Sequence, residues 1–460
     1  MEIYTVRKNE IDGRLDCDYY RPTYTKLENL VTKRTNKQLG DYINNISGGA
    51  TPSLKNRKKY YTDNPDKGVP FLRVQNISPQ GIDLTDVKYI TYETHNNLLS
   101  RSQVYEYDLI TKITGVGRMA VSSVAPEGFE GNINQHLVVL QTDDLETSKT
   151  LAAFLNSDIG EKMATRRATG ATRPALDYQA LKSIPIIYCP EIVEIMEEAY
   201  SKHSVKQDKY LQAKNCYSGL IENKLNISIN ISKQRKIFTV NSNNLEDALN
   251  TERYANKLLL DKSINWVQIK DIGHVIRDTF SPSKTNPNSD FGSMRIDDLI
   301  KNPINPEVRN VKGKDINGRR QKVESGDILV SRLEPSIVNK KTVIAPDYVF
   351  DLVASNEFIC FRCNGGINPL FVFIVLKTDL FSDLMVQKSR GAVPSRRRLS
   401  HEDFKELPFP DVEKDIQDEI ALEFEQKIQK AEIQKDQAEK QLENAKIKVD
   451  NILIGGEDDS

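Results

Sequence analysis

The sequence predicts an α+β protein made of two tandem mixed α/β globules, separated by two long antiparallel coiled-coil helices and related by a pseudo-twofold internal repeat. Three observations predict this class. The chain repeats itself at a nearly constant offset. Each copy alternates short β-branched runs with Gly, Asn, Asp and Pro, which is typical of strands and turns. Each copy also ends in a helical pattern with heptad spacing.

The repeat begins at the N-terminus. The segment "IYTVRKNEIDGRLDCDYY", from Ile3 to Tyr20, faces "IFTVNSNNLEDALNTERY", from Ile237 to Tyr254, without a gap. Later pairs keep their order with small changes in offset: "VPFLRVQNI" with "FGSMRIDDL", "YDLITKITGVGRMAV" with "GDILVSRLEPSIVNKKTV", "NINQHLVVLQ" with "VASNEFICFR", and "RRATGATRPALDYQALKSIPI" with "SRGAVPSRRRLSHEDFKELPFP". The chain is therefore predicted to contain two copies of one unit.

Helices are predicted at the end of each copy. Ser400, with Asp403 three residues later, resembles a capping box that begins a short helix. Beyond it, apolar positions recur every three or four residues, and the first copy has a counterpart. The predicted seam contains Met196, Tyr210, Tyr217, Phe424, Ile428, Leu442 and Val449. A whole-protein dimer through a coiled coil is one interpretation, but two seams in one chain favour pairing within the chain.

Two paired helices of this kind would act as a ruler. A helix over residues 412–452 would be roughly 60 Å long at 1.5 Å per residue. That length is on the scale of one to two turns of a DNA duplex. Two similar globules that differ in surface residues would then contact two different short DNA sequences, so the target is predicted to be bipartite and asymmetric.

Composition excludes several classes of protein. Apolar residues make up 38% of the 460 residues and charged residues 28%, which is typical of a folded globular chain. The net charge is -1, so any positive field must be local. The longest strongly apolar stretch, from Pro369 to Leu376, is too short to span a bilayer. Five scattered cysteines are typical of reduced thiols, and we expect a cytoplasmic protein with no membrane partner.

Signals of catalysis are weak. The chain has no phosphate-binding loop of the Gly-x-x-x-x-Gly-Lys type, no His-Glu-x-x-His and no Gly-x-Ser-x-Gly motif. Gly115-Val116-Gly117 lacks a third glycine and is interpreted as a tight turn. Cys360 and Cys363 have the spacing of a metal knuckle, but a strand would direct them to opposite faces. We therefore predict no catalytic residue, cofactor site or metal site in this chain.

Basic residues indicate contact with nucleic acid. Arginine pairs with guanine or phosphate through two parallel hydrogen bonds, and lysine-rich loops suit phosphate. Runs around Arg166 and Arg396 occupy the same place in each copy, and both contain Gly-Ala. Salt bridges between helices are the alternative for these runs, a solvated loop is the alternative for residues 54–61, and a capped strand end is the alternative for Arg73. The predicted DNA-binding residues are Lys55, Arg57, Lys58, Lys59, Arg73, Arg118, Arg166, Arg167, Arg173, Arg309, Lys312, Lys314, Arg319, Arg320, Arg332, Arg390, Arg396, Arg397 and Arg398.

The order of these motifs resembles the specificity (S) subunit of type I restriction-modification systems over essentially the whole chain. "LGDYINNISGGATPS" followed by "GVPFLRVQNIS" is similar to the start of a target recognition domain, and the later motifs follow in the order of that family. The predicted divisions are an opening segment at 1–35, a target recognition domain at 36–188, a spacer helix at 189–228, a second opening segment at 229–265, a second target recognition domain at 266–411, a second spacer helix at 412–454 and a disordered tail at 455–460.

The resemblance implies a non-catalytic reader of double-stranded DNA. Its partners would be two adenine methyltransferase (M) subunits and the restriction and translocase (R) subunits, which would carry S-adenosylmethionine, ATP and magnesium. The duplicated opening segments, Ile3 to Tyr20 and Ile237 to Tyr254, would give each methyltransferase an equivalent contact. Bracing of helix ends is the alternative role for these segments.

Two other functions are also consistent with the sequence. One is a free-standing DNA-binding defence or regulatory protein, and the other is a coiled-coil scaffold for protein partners. Binding that weakens steeply with added salt would exclude the scaffold, because phosphate contacts release counterions.

Overall fold

The computed structural model describes residues 4–7, 11, 13–170, 172–225, 263–296, 306–391 and 393–455. The predictions for residues 229–262 and for the tail at 456–460 lie outside the described residues. The chain divides into two compact units. Unit 1 comprises Met1–Lys209 with Ile433–Ser460, and unit 2 comprises Tyr210–Glu432.

The described residues of unit 1 form a four-stranded sheet, a five-stranded sheet, the two-stranded sheet β4-β5 and a set of short helices. Its strands are β1 Asn45–Gly48, β2 Tyr61–Thr62, β3 Gly68–Leu72, β4 Ile77–Ser78, β5 Gly81–Ile82, β6 Lys88–Thr91, β7 Gln103–Tyr105, β8 Leu109–Lys112, β9 Ser122–Val124, β10 Glu130–Ile133 and β11 Leu137–Gln141. Its helices are α1 Pro22–Thr32, α2 Arg57–Tyr60, α3 Leu145–Asn156, α4 Asp158–Arg167 and α5 Tyr178–Lys182. The longer α6 Glu191–Lys214 follows them and is in unit 1 up to Lys209.

Unit 2 repeats this plan. Its strands are β12 Trp266–Gln268, β13 Gly273–Ile276, β14 Thr279–Phe280, β15 Asp290–Met294, β16 Arg309–Lys312, β17 Arg320–Val323, β18 Ile328–Ser331, β19 Thr342–Ile344, β20 Leu352–Ala354, β21 Phe358–Cys363 and β22 Pro408–Pro410. Its helices are α7 Tyr217–Leu225, α8 Ile269–Ile272, α9 Pro282–Thr285, α10 Glu334–Val338, α11 Pro369–Leu376, α12 Asp379–Lys388 and α13 His401–Lys405. The last helix, α14 Lys414–Ile454, is in unit 2 up to Glu432.

The sheets confirm the internal repeat. The four-stranded sheet has the order β1-β11-β8-β9 in unit 1 and β13-β21-β18-β19 in unit 2, and all its pairs are antiparallel. The five-stranded sheet shares the run β6-β3-β10-β7, which matches β16-β15-β20-β17, including one parallel pair at the centre of each run. The fifth strand differs, because β2 pairs with β6 whereas β14 pairs with β17 at the opposite edge.

Helix caps recur at matching positions. Ser157 and Thr378 accept hydrogen bonds from backbone N–H groups at the start of α4 and α12. Asp177 does the same for α5, and the Ser400 hydroxyl accepts from the Asp403 N–H at 3.0 Å to begin α13, as the capping pattern predicts. Cys360 and Cys363 pack on opposite faces of β21, as expected for a strand, with Cys360 in one apolar cluster and Cys363 against another.

The long helices pair in each unit. In unit 1, Val449 and Leu453 of α14 share the apolar core with Ile192 and Met196 of α6. In unit 2, the ring of Tyr217 on α7 lies 5.2 Å from that of Phe424 on α14, while Lys224 forms ion pairs with Glu419 and Glu423 at 2.7 and 3.0 Å. Residues later in α6 and α7 contact residues earlier in α14. The paired helices are therefore antiparallel in both units.

The seam residues follow the heptad prediction closely but not throughout. Met196, Tyr217, Phe424, Ile428 and Val449 are buried. Tyr210 and Leu442 are half-buried. The predicted spacer at 189–228 is two helices, because the chain leaves the helical conformation at residues 215–216. In the part of the chain that the structure describes, every helix is too short or too polar to cross a membrane.

We expect a buried lysine to make the stability of unit 2 depend on pH. Lys377, 8% exposed, follows α11 and lies over the rings of Tyr217 and Phe373 at 5.4 and 5.6 Å. Burial lowers its pKa to about 7, with smaller contributions from the charges of Lys340 and Lys214. The folded pKa lies below the unfolded value of 10.5. The unfolded chain therefore binds more protons between these two values, and stability increases with pH across this window.

We expect the free energy of unfolding to increase by about 2 kcal/mol between pH 7 and pH 9 through this group. Lys377→Met should remove most of that increase, because methionine retains the apolar packing and has no charge to desolvate. Urea unfolding of both proteins at the two pH values measures the difference. If the free energy of unfolding increases equally between the two pH values in both proteins, Lys377 is not the group responsible.

Candidate nucleic-acid interface

One end of the four-stranded sheet gathers the loops that contain most of the predicted base and phosphate contacts. In unit 1 this end is formed where β1 and β8 finish and where β9 and β11 begin. The loop at residues 169–175 lies against it. In unit 2 the equivalent loop is residues 390–398. We call these two segments the arginine loops.

Both arginine loops are built in the same way. Each is closed by an antiparallel bridge, between Thr169 and Ala175 in unit 1 and between Arg390 and Arg398 in unit 2. A second bridge joins the closing residue of each loop to the turn after the sheet strand, through Thr114 in unit 1 and Leu333 in unit 2. Each loop also contains a glycine with positive φ, Gly170 at 101° and Gly391 at 152°. The second loop is two residues longer.

Three backbone hydrogen bonds occur in equivalent places. In unit 1 they are Gly115 N to Pro174 O at 3.0 Å, Leu176 N to Ile113 O at 2.8 Å and Ile113 N to His136 O at 3.0 Å. In unit 2 they are Glu334 N to Arg397 O at 3.0 Å, Leu399 N to Arg332 O at 2.9 Å and Arg332 N to Glu357 O at 2.9 Å. The backbone therefore fixes both loops to their sheets without using the arginine side chains.

One arginine in each loop is available to a ligand. Arg173 and Arg396 each lie two residues before the closing bridge residue, and both are exposed. Across the described ranges neither side chain has a hydrogen-bonding or ionic partner. The sequence alignment places the same two residues opposite each other, because Ile184 matches Leu407 at an offset of 223, as Arg173 matches Arg396.

The other arginines of the second loop are occupied. Arg390 pairs with Asp403 at 2.9 Å, Arg398 with Glu357 at 3.1 Å and Arg397 with Glu334 at 3.6 Å. Arg332, which precedes the turn, donates to the carbonyl of Leu399 at 3.1 Å, and burial lowers its pKa. These four side chains therefore have partners within the protein, and their contact with DNA stays a prediction.

Two histidines lie near arginine charge at this end of the sheet. Burial lowers the pKa of His136 in unit 1, and the nearby charge of Arg173 lowers it further. Burial likewise lowers the pKa of His401 in unit 2, with further contributions from Arg332 and Arg277. Arg173 in unit 1 and Arg332 with Arg277 in unit 2 therefore place positive charge beside these histidines.

Arg166 and Arg167 form salt bridges within unit 1. Both pair with Glu28 of α1, and the Arg167–Glu28 distance is 2.6 Å. Arg167 is buried, and the Arg166 guanidinium lies 4.4 Å from the centre of the Tyr19 ring. The alternative of salt bridges between helices is therefore the one observed, here between α4 and α1.

The opening segment of the first copy braces the end of α4. Arg14 donates to the carbonyls of Arg167 and Ala168 at 2.8 and 3.1 Å, and its guanidinium lies 4.6 Å from the Tyr19 ring. These carbonyls end α4 and have no partner within the helix. The bracing role is thus present in unit 1, while the equivalent contact with a methyltransferase stays a prediction.

Two further arginines of unit 1 serve the fold. Arg118 donates to the carbonyl of Ser157 at 2.5 Å and pairs with Asp158 and Glu161 at 3.3 Å each. Arg73 donates to the carbonyl of Asp86 at 2.7 Å. The backbone N–H of Arg73 donates to Asn76 Oδ1. The alternative of a capped strand end is therefore present at this segment. Both arginines have partners within unit 1, and their contact with DNA stays a prediction.

The lysine-rich stretch of unit 1 is exposed. It forms a 3-10 turn and the short helix α2, where a loop was predicted. Lys55, Lys58 and Lys59 are exposed, with Lys59 beside the Tyr60 ring at 5.8 Å, while Arg57 pairs with Asp63 at 3.0 Å. The preceding loop reaches the sheet end through a hydrogen bond between Thr51 and Gln135. Contact of these lysines with phosphate stays a prediction.

The basic run of unit 2 does not form one track. Arg309, Lys312 and Lys314 lie on or beside the edge strand β16, and Lys312 pairs with Asp290 at 2.7 Å. Arg319 and Arg320 adjoin β17 near the other edge, where Arg319 donates to the carbonyl of Thr279 at 2.8 Å. Because β20 and β15 lie between these strands, the two groups are roughly 14 Å apart at about 4.8 Å per strand.

Comparisons with known proteins give structural likenesses only. Neither the protein-family models nor the curated proteins contain a match. A structure described under complex assembly and conformational transition of the type I R-M system matches with a TM-score of 0.44 and 13% identity, covering 91% of this chain and 95% of that one. The type I restriction-modification S subunit from M. genitalium matches with a TM-score of 0.38 and 12% identity, covering 92% and 95%.

The HsdS subunit from Thermoanaerobacter tengcongensis matches with a TM-score of 0.32 and 13% identity, covering 91% of this chain and 96% of that one. These proteins come from the family that the order of sequence motifs indicates. Because the TM-scores and identities are low, the function of this chain has to be argued from its own residues.

Proposed function

We propose that this chain is a DNA-binding specificity subunit of a type I restriction-modification complex. The observation that carries the proposal is the equivalence of the arginine loops. Each of the two units places one exposed arginine, which has no partner among the described residues, at the same position of the same braced loop and at the same end of the same sheet. Arginine held in this way suits paired hydrogen bonds to guanine or to a phosphate.

The two units differ around this shared position, which supports an asymmetric target. Unit 1 places the Gly115–Gly117 turn beside its arginine loop, whereas unit 2 places α10 there and has a longer loop. The fifth strand of the second sheet is also on opposite edges in the two units. Equivalent backbones with different neighbours would recognise two different short sequences, which we call half-sites.

The partner subunits follow from the family resemblance. Two adenine methyltransferase subunits and the restriction subunits would supply methyl transfer, ATP-driven translocation and cleavage, together with S-adenosylmethionine, ATP and magnesium. The role of this chain would be to bind the target and position those partners. Among the described residues, His, Cys, Asp and Glu form no group of three that could hold a metal ion.

Selection from a random pool of DNA duplexes tests the proposal. The full chain, co-purified with its methyltransferase partner, is expected to enrich duplexes with two short fixed blocks separated by a spacer of fixed length. Affinity for the enriched duplex should fall steeply between 50 and 200 mM salt, because several phosphate contacts release counterions on binding. A pool with no enriched sequence, or binding that does not respond to salt, would contradict the proposal.

A further inference from the structure

The turn that follows β8 in unit 1 presents one apolar side chain to solvent. It comprises residues 114–118, which we call the valine turn, and its central residue Val116 is 78% exposed. Single exposed valines are common on protein surfaces and need no explanation by themselves. The feature that requires an explanation here is how firmly the surrounding backbone is held.

A buried lysine binds the backbone of the valine turn. Lys112, 6% exposed, donates from Nζ to the carbonyl oxygens of Val116 and Arg118 at 2.9 Å each. Burial of a charged amine is costly unless the amine is hydrogen-bonded, so these two bonds determine where the turn lies. Gly115 and Gly117 have φ values of 127° and 83°, a conformation that residues with a Cβ rarely adopt.

Two further contacts attach the valine turn to its surroundings. The Arg118 side chain donates to the carbonyls of Asn156 and Ser157 at the end of α3. On the other side, the N–H of Gly115 donates to the carbonyl of Pro174 at 3.0 Å, and Thr114 bridges Ala175. The valine turn and the arginine loop are therefore joined through their backbones, and Val116 and Arg173 are each the chain neighbour of one residue of the hydrogen-bonded pair Gly115 and Pro174.

An arginine and an aliphatic side chain recognise different chemical groups on the bases of DNA. Arginine recognises the two acceptors of guanine, whereas an aliphatic side chain recognises thymine through its 5-methyl group in the major groove. The valine side chain neither donates nor accepts hydrogen bonds, so it can recognise only an apolar group of a base. Fixing the turn beforehand also reduces the entropy lost when DNA binds.

We propose that Val116 is a second base-reading side chain of unit 1, packing against the 5-methyl group of a thymine next to the base that Arg173 contacts. This inference rests on the proposed function. In the described part of unit 2, α10 occupies the place after β18 that the valine turn has after β8 in unit 1. The effect of Val116 therefore belongs to one half-site only.

Replacement of thymine by uracil tests the contact, since it removes the methyl group and nothing else. In the duplex enriched by the wild-type protein, each thymine of the half-site read by unit 1 is replaced in turn. Val116→Ala is expected to weaken binding to the thymine duplex by about three- to tenfold, as expected for losing partly buried methyl groups. One uracil replacement should weaken wild-type binding by a similar factor, and the two changes together should cost no more than either alone.

Val349→Ala is the matched control, because Val349 is 89% exposed in a loop of unit 2 outside the arginine loop. It should bind the thymine and uracil duplexes as the wild type does, and both variants should unfold at the wild-type temperature. Additive losses, a Val116→Ala variant with wild-type affinity, or a half-site without thymine would each overturn the role of Val116 while leaving the proposed function intact. Failure of the wild-type chain to enrich any sequence would instead overturn the proposed function and this inference with it.

Discussion

Arg173→Ala and Arg396→Ala are each expected to impair recognition of one half-site and to leave the other unchanged. Each arginine is exposed, unpaired among the described residues, and equivalent in position to the other. Loss of a paired contact with a base costs about 1 to 3 kcal/mol of discrimination. For each variant, we expect the preference for one block of the enriched sequence to fall by about five- to 150-fold, which is the factor that this energy corresponds to.

Competition binding with duplexes mutated in one block at a time measures this preference. Arg101→Ala is the matched control, because Arg101 is an exposed arginine of unit 1 outside the arginine loop. It should retain wild-type specificity. If Arg173 or Arg396 contacts a phosphate, the variant will bind all duplexes more weakly and with a smaller dependence on salt. Unchanged binding in both variants, or loss of preference in the same block, would contradict the assignment.

Glu28→Gln is expected to destabilise unit 1 by about 3 kcal/mol, since breaking a buried ion pair leaves an uncompensated charge. The Glu28 carboxylate pairs with both Arg166 and Arg167, and Arg167 is buried. Glutamine has nearly the same shape, so the change removes the charge and keeps the packing. Urea unfolding measures the effect, and a shifted midpoint with an unchanged slope would identify a change in stability.

Glu198→Gln provides the control for this experiment. Glu198 pairs with Lys202 one helical turn away, and both side chains are largely exposed. An exposed pair of this kind contributes at most about 0.5 kcal/mol. Equal destabilisation by the two substitutions would show that the Glu28 cluster is no more important than a surface pair.

The repeat was predictable from sequence because the two copies keep their order at a nearly constant offset. The paired segments "NINQHLVVLQ" and "VASNEFICFR" fall on β10–β11 and β20–β21, and both pairs occupy the same places in their sheets. The edge strands were not predictable. β2 and β14 are two residues long, which is too short for an alternating pattern to reveal.

The roles of individual arginines could not be predicted for a different reason. A run of basic residues shows where positive charge is concentrated but not which side chains are already paired. Glu28, which neutralises Arg167, is 139 residues away in sequence. The alignment did contain one usable signal, because Arg173 and Arg396 match at the offset of the flanking Ile-Pro and Leu-Pro pairs.

The break between α6 and α7 was also missed. Apolar residues keep a helical spacing on both sides of residues 215–216, so periodicity alone predicts one continuous helix. Local hydrogen bonding ends the helix there, with the N–H of Asn215 shared between the carbonyls of Leu211 and Gln212.

Hydroxyl-radical footprinting of the enriched duplex tests the central claim most directly. The claim is that two equivalent units contact separate stretches of one DNA molecule through their arginine loops. Two protected patches are predicted, separated by unprotected DNA, with Arg173→Ala weakening protection in one patch and Arg396→Ala in the other. A single continuous patch, or one patch weakened by both substitutions, would contradict it.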